Sequence, residues 1–225
     1  MALRFIDRRE PLATAALGHV LAQSSSCRKA LAELVPGQLP EGLTYRSELA
    51  DQLADGRPDV VGAMLGQRHI IVEGKFWAGL TEAQPVAYLR TLVEQGTLVV
   101  VAPHLRFPTI GAELLRLVAE QGLCVDGHLQ IDDATGAEAR FVRVGDRHLG
   151  LVSWRLLLSR LRQALLDAGD TALAADVDQL DGLCALEDDE AFLPLSSVDL
   201  SHPTPLRIYQ YMQLVDTIVQ RAVAA

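Results

Sequence analysis

Six consecutive residues, Thr97-Leu98-Val99-Val100-Val101-Ala102, are apolar or β-branched at every position. Alternate residues of a strand point to opposite faces, so a run of this kind is buried on both sides and belongs at the centre of a sheet. Pro103 ends it, because proline has no N–H to give to a ladder. The same segment holds the longest apolar run, Leu98 to Ala102, which is far too short to span a bilayer.

The flanking segments alternate between helical and strand patterns. Pro11 to Val35 reads as helix, with Leu12, Ala16, Val20, Leu31 and Leu34 at helical spacing and an interruption at the serine run 24–26. Pro36-Gly37 and Pro40-Glu41-Gly42 mark a loop. Three short strands are expected at 43–49, 57–65 and 68–76, the last two joined by a turn at Gly66-Gln67. A helix follows from Glu82 to about Gln95, with Thr81 as N-cap and Gly96 as stop, then the central strand and a helix over about 109–121. Residues 138–152 read as a hairpin around Gly145-Asp146, and 153–168, 171–185 and 204–223 as three helices. The sum is an α/β protein with a mixed sheet and a helical C-terminal part. We expect a core over 1–150 and a helical extension over 151–225 packed on it.

The start of the chain carries Asp7 and Glu10 within its first apolar stretch and does not read as a signal peptide, so a soluble, cytoplasmic protein with no membrane partner is expected. Cys27, Cys124 and Cys184 are scattered, as small core or near-surface thiols would be. The net charge of −9 and pI of about 5.1 count against a broad, nonspecific grip on nucleic acid, which depends on basic surface. A local basic groove or a small nucleotide substrate remains compatible with them.

The chemistry is concentrated in residues 57–89. The third strand reads Ile70-Ile71-Val72-Glu73-Gly74-Lys75-Phe76-Trp77, with two charges inside an otherwise apolar run. Residues i and i+2 share a face roughly 7 Å apart, so Glu73 and Lys75 project side by side. Charge buried there is costly unless it is paired or bound to a metal. Asp59 lies on the preceding strand, and hairpin pairing brings it toward Glu73. Two carboxylates beside a lysine suit phosphodiester hydrolysis: hard oxygens hold Mg²⁺, and the ammonium positions or deprotonates the attacking water. The chain has 18 arginines and two lysines, Lys29 and Lys75. A lysine at this one strand position therefore points to a need for an ammonium, whose pKa burial can tune, rather than a guanidinium.

Pro58-Asp59, thirteen intervening residues and Glu73-Gly74-Lys75 resemble the signature of the PD-(D/E)xK nuclease superfamily. Gln84 and Tyr88 resemble the QxxxY motif of many members. Arg9-Glu10 followed by Thr14-Ala15-Ala16-Leu17 resembles the first core helix of bacterial members, in which a glutamate joins the metal site. The similarity covers residues 9 to about 103 in the order of a restriction-endonuclease-like αβββαβ core. The resemblance implies a Mg²⁺-dependent nuclease, with Mn²⁺ able to substitute. Asp59, Glu73 and Glu10 would be metal ligands and Lys75, Gln84 and Tyr88 catalytic or supporting residues. The implied substrate is nucleic acid, DNA ahead of RNA. Restriction, repair and phage-defence nucleases share the superfamily, and a homodimer or partner protein is compatible with it.

Each residue also has a plainer reading. Asp59, Glu73 and Lys75 could be a structural ion-pair group. Thr81-x-x-Gln84 is a capping box, in which the glutamine serves the helix start. Tyr88 fits an amphipathic core helix, and Glu10 a helix N-terminus. Glu48 competes with Glu10 as third acid. The acidic run Glu187-Asp188-Asp189-Glu190 reads as a solvated loop or helix end. Two other functions stay open: a catalytically inactive nuclease fold acting as an interaction subunit, and a metal-dependent hydrolase of small phosphate esters.

Overall fold

A computed structural model of the chain describes residues 9–47, 58–76, 79–81, 84–127 and 137–189. Helices α1 (Arg9–Gln23) and α2 (Ser25–Leu34) lead into strands β1 (Thr44–Ser47), β2 (Val60–Met64) and β3 (Gln67–Gly74). Helix α3 (Gln84–Thr91), strand β4 (Leu92–Ala102), a 3-10 turn at His104–Arg106 and helix α4 (Phe107–Glu120) follow. Strands β5 (Val125–Asp126), β6 (Ala139–Val144) and β7 (Arg147–Ser153) and helices α5 (Trp154–Asp167) and α6 (Thr171–Asp189) complete the described elements. The expected helix 204–223 and Glu48 lie outside the described residues. No helix among the described residues is long and apolar enough to cross a membrane.

The seven strands form one mixed sheet in the order β1-β2-β3-β4-β7-β6-β5. Strand β4 runs parallel to β3 on one side and to β7 on the other, while the remaining neighbours are antiparallel. Its side chains divide between two apolar layers. Val99 and Val101 pack with Val60, Ile70, Val72 and Val152 against α1, α2, α5 and α6. Leu98 and Val100 pack with Val61, Ile71, Leu149 and Leu151 against α3 and α4. This double burial is what an apolar run without alternation requires. Each fully buried valine or leucine contributes about 1.5–3 kcal/mol. Helices α5 and α6, expected to form an appended part, place Trp154, Leu157, Leu161, Val177 and Leu180 in the same apolar layer as α1.

Local chemistry sets the boundaries. Ser24 is extended and its hydroxyl accepts from the Cys27 N–H at 3.1 Å, so the serine run breaks one long helix into two and caps the second. In the β2–β3 hairpin Met64 faces Gln67, so the two loop residues are Leu65 and Gly66, both at positive φ, one residue earlier than the sequence suggests. The helix expected to reach Gln95 stops at Thr91. Leu92 instead pairs with Arg68, its carbonyl accepts from Arg147 Nε at 2.9 Å, and the Gln95 N–H donates to the Asp146 carbonyl at 2.8 Å. Those tertiary bonds outweigh a local helix preference of a few tenths of a kcal/mol per residue. The acidic end of α6 also differs from expectation. Glu187 is buried and ion-paired with Arg9 at the start of α1, so it ties two helices rather than facing solvent.

Candidate functional site

The hairpin register fixes the acidic pair. Val60 faces Val72 and Val61 faces Ile71, and one further step sets Asp59 across from Glu73. Val61 and Ile71 belong to the layer of α3 and α4, so Asp59 and Glu73, each two residues away, and Lys75, two further, share that face. Asp59 is anchored by the main chain: the Gly74 N–H donates to its Oδ2 at 2.8 Å. Glu73 and Lys75 are only 4% and 6% exposed, which makes their charges meaningful. Lys75 Nζ donates to Glu73 Oε1 at 2.9 Å. Glu73 Oε2 is buried and has no hydrogen-bond partner among the described residues.

Gly74 explains why the residue between the two charges is the smallest available. It points to the opposite face, where α1 and α5 press on the strand. A Cβ there would lie 2.3 Å from Thr14 Cγ2 and 2.9 Å from Trp154 Cζ2. That close approach brings the start of α1 to the end of β3. Glu10 reaches across, accepting the Phe76 N–H on Oε2 at 2.6 Å, with Oε1 3.7 Å from Lys75 Nζ. Arg106, in the 3-10 turn beyond β4, donates to the Phe76 carbonyl.

Burial dominates the electrostatics. Desolvation, then the charge of Glu73, raises the Asp59 carboxyl from 3.8 to about 7, against the stabilising Gly74 N–H. Glu73 is also raised by desolvation, with Lys75 and the Asp59 backbone N–H pulling the other way. Desolvation alone would lower Lys75, but Glu73, Glu10 and Asp59 together carry it above its ordinary value. Among the described residues, three carboxylates thus share one buried ammonium and a half-buried arginine, an excess of negative charge that a divalent cation would relieve.

The residues present suit such a cation. Asp59 and Glu73 are hard oxygen donors on one face, and an orphaned buried carboxylate oxygen such as Glu73 Oε2 calls for a partner. Among the described residues no three His, Cys, Asp or Glu side chains form a metal-holding group. A two-carboxylate arrangement is enough for Mg²⁺, which keeps several waters and takes up substrate phosphate.

The other expected site residues are engaged differently. Both Glu10 oxygens face the Phe76 N–H and Lys75. The Gln84 side-chain carbonyl accepts from the Thr81 N–H at 3.4 Å, the geometry of the capping box, and no hydrogen bond joins it to Asp59, Glu73 or Lys75 among the described residues. Tyr88, four residues on, is buried among Val86, Leu89 and the α4 side chains. On this helical stripe Gln84 contributes to capping and Tyr88 to core packing. Sequence reasoning missed Arg106, because no local pattern marks a contact across 30 residues. Comparison with protein-family models, with curated proteins and with solved structures finds no match to this chain.

Proposed function

We propose that this chain is a metal-dependent nuclease that hydrolyses phosphodiester bonds, DNA ahead of RNA, in the cytoplasm. The observation that carries the reading is a clustered triad: partly buried Asp59 opposite Glu73, buried Lys75 bonded to Glu73 Oε1, and Glu73 Oε2 without a hydrogen-bond partner among the described residues. The succession of α1, β1, β2, β3, α3 and β4, with α2 inserted after α1, supports reading residues 9–102 as the αβββαβ core of the PD-(D/E)xK superfamily.

Asp59 and Glu73 would hold Mg²⁺, which when bound polarises the phosphate and lowers the pKa of a water. Lys75 orients the attacking water and offsets the negative charge that develops as the phosphorus–oxygen bond breaks. Glu73 fixes the ammonium from one side and Glu10 from the other, so its lone geometry is set before substrate arrives. The hydrogen bond from Gly74 holds Asp59 by its Oδ2, and its Oδ1 would be the oxygen turned to a ligand.

The test is cleavage of single-stranded, double-stranded and structured DNA and RNA with Mg²⁺ or Mn²⁺. The reading predicts cleavage by wild type and none by Glu73→Gln. The net charge of −9 favours one second reading, hydrolysis of a small phosphate ester by the same residues. A chain that leaves every polymer intact but hydrolyses a small ester would establish that reading instead.

A further inference from the structure

The peptide of Phe76 is held from both sides. Its N–H donates to Glu10 Oε2 at 2.6 Å, and its carbonyl accepts from the Arg106 guanidinium. The ring of Phe76 is fixed as well, buried against Trp154 with centroids 5.4 Å apart. Lys75 sits immediately before this clamped peptide, and its own N–H donates to the Val101 carbonyl at 2.8 Å. Its backbone is therefore held on both sides, and among the described residues its ammonium is ion-paired with Glu73 at 2.9 Å and Glu10 at 3.7 Å.

Arg106 bears on that pairing. It is half-buried at the carboxyl end of the central strand, where burial lowers its pKa and the charges of Glu10 and Glu113 offset part of that cost. A planar guanidinium can serve a carbonyl and a carboxylate together, which neither a lysine nor a neutral donor does equally well. We propose that Arg106 is a positioning residue: by clamping the Phe76 carbonyl and balancing the charge of Glu10, it keeps the Lys75 ammonium on Glu73. Without it, Glu10 draws the ammonium toward itself and away from the face where Asp59 and Glu73 meet. The catalytic consequence rests on the nuclease reading above. The structural consequence does not.

The chain makes the test simple, because Lys29 and Lys75 are its only lysines. Side-chain-labelled lysine gives two resonances by NMR, with exposed Lys29 as an internal control. The proposal expects Arg106→Gln to shift the Lys75 resonance while leaving Lys29 in place, and Arg106→Lys, whose spectrum gains a third resonance, to give an intermediate shift of the Lys75 signal. In single-turnover cleavage it expects Arg106→Gln to lower kcat by about 10²-fold with KM little changed, the scale of misplacing a catalytic group by about 1 Å. An unmoved Lys75 resonance in either variant overturns the proposal. So does a loss confined to KM, which would make Arg106 a substrate contact. Arg106→Lys decides the matter if the glutamine variant does not fold. Should wild type cleave nothing, the nuclease reading falls while the Lys75 resonance still decides the role of Arg106.

Discussion

Asp59→Asn should make the metal-free protein more stable at neutral pH, and the gain should depend on pH in a defined direction. Asparagine keeps an oxygen to accept the Gly74 N–H and removes only the titratable charge. In wild type, burial first and Glu73 second raise the Asp59 carboxyl from 3.8 to about 7. Between those values the folded chain holds a proton that the unfolded chain has released. Stability from this group is therefore complete below about pH 4 and is lost as pH rises through about 7. At about 1.4 kcal/mol per pH unit the whole interval corresponds to about 4 kcal/mol. Partial exposure of Asp59 and shared titration with Glu73 and Lys75 reduce the expected difference to about 2 kcal/mol at pH 8. Urea unfolding in EDTA, measured from pH 4.5 to 8, reads it directly. The variant should exceed wild type by about 2 kcal/mol at pH 8, and the two should converge toward pH 4.5. Adding Mn²⁺ should reverse the order, because only wild type gains from a bound ion. A difference independent of pH, or a wild type that is the more stable at pH 8 without metal, would refute the electrostatic account of this site.

Other perturbations probe neighbouring parts of the design. Lys75→Arg should keep the fold and the metal affinity but lose cleavage by about 10²-fold or more in single-turnover assays, since a guanidinium is bulkier and effectively never deprotonated. A near wild-type rate would show that Lys75 does not handle the water. Gly74→Ala should destabilise by about 2–3 kcal/mol through the Thr14 and Trp154 contacts, read by denaturant midpoint. Pairing it with Thr14→Ser should recover part of that loss, and no recovery would move the strain elsewhere.

The parts legible from sequence are those governed by a short period. The apolar run 97–102 marks a strand buried on both faces, and it is the strand between two parallel neighbours. The i, i+2 spacing of Glu73 and Lys75 and the hairpin that opposes Asp59 follow from alternation and turn chemistry. What could not be read depends on contacts between distant segments. Leu92 to Gln95 look helical alone and become strand through bonds to Asp146 and Arg147. Glu10 and Arg106 meet at the Phe76 peptide from 66 and 30 residues away. Glu187 finds Arg9 across 178 residues, where its acidic neighbours suggest a solvated end. Gln84 carries two readings in sequence, and the bond to Thr81 matches the capping one.

The central claim is that Asp59 and Glu73 together hold a divalent cation beside Lys75, and it can be tested before any substrate is known. Calorimetric titration of the chain with Mn²⁺ should be carried out on wild type, Asp59→Asn and Glu73→Gln, with circular dichroism to confirm that each is folded. The account predicts one saturable site in wild type and a loss of affinity of about 10-fold or more in each variant, since each removes an anionic ligand. Equal binding by all three folded proteins would contradict it.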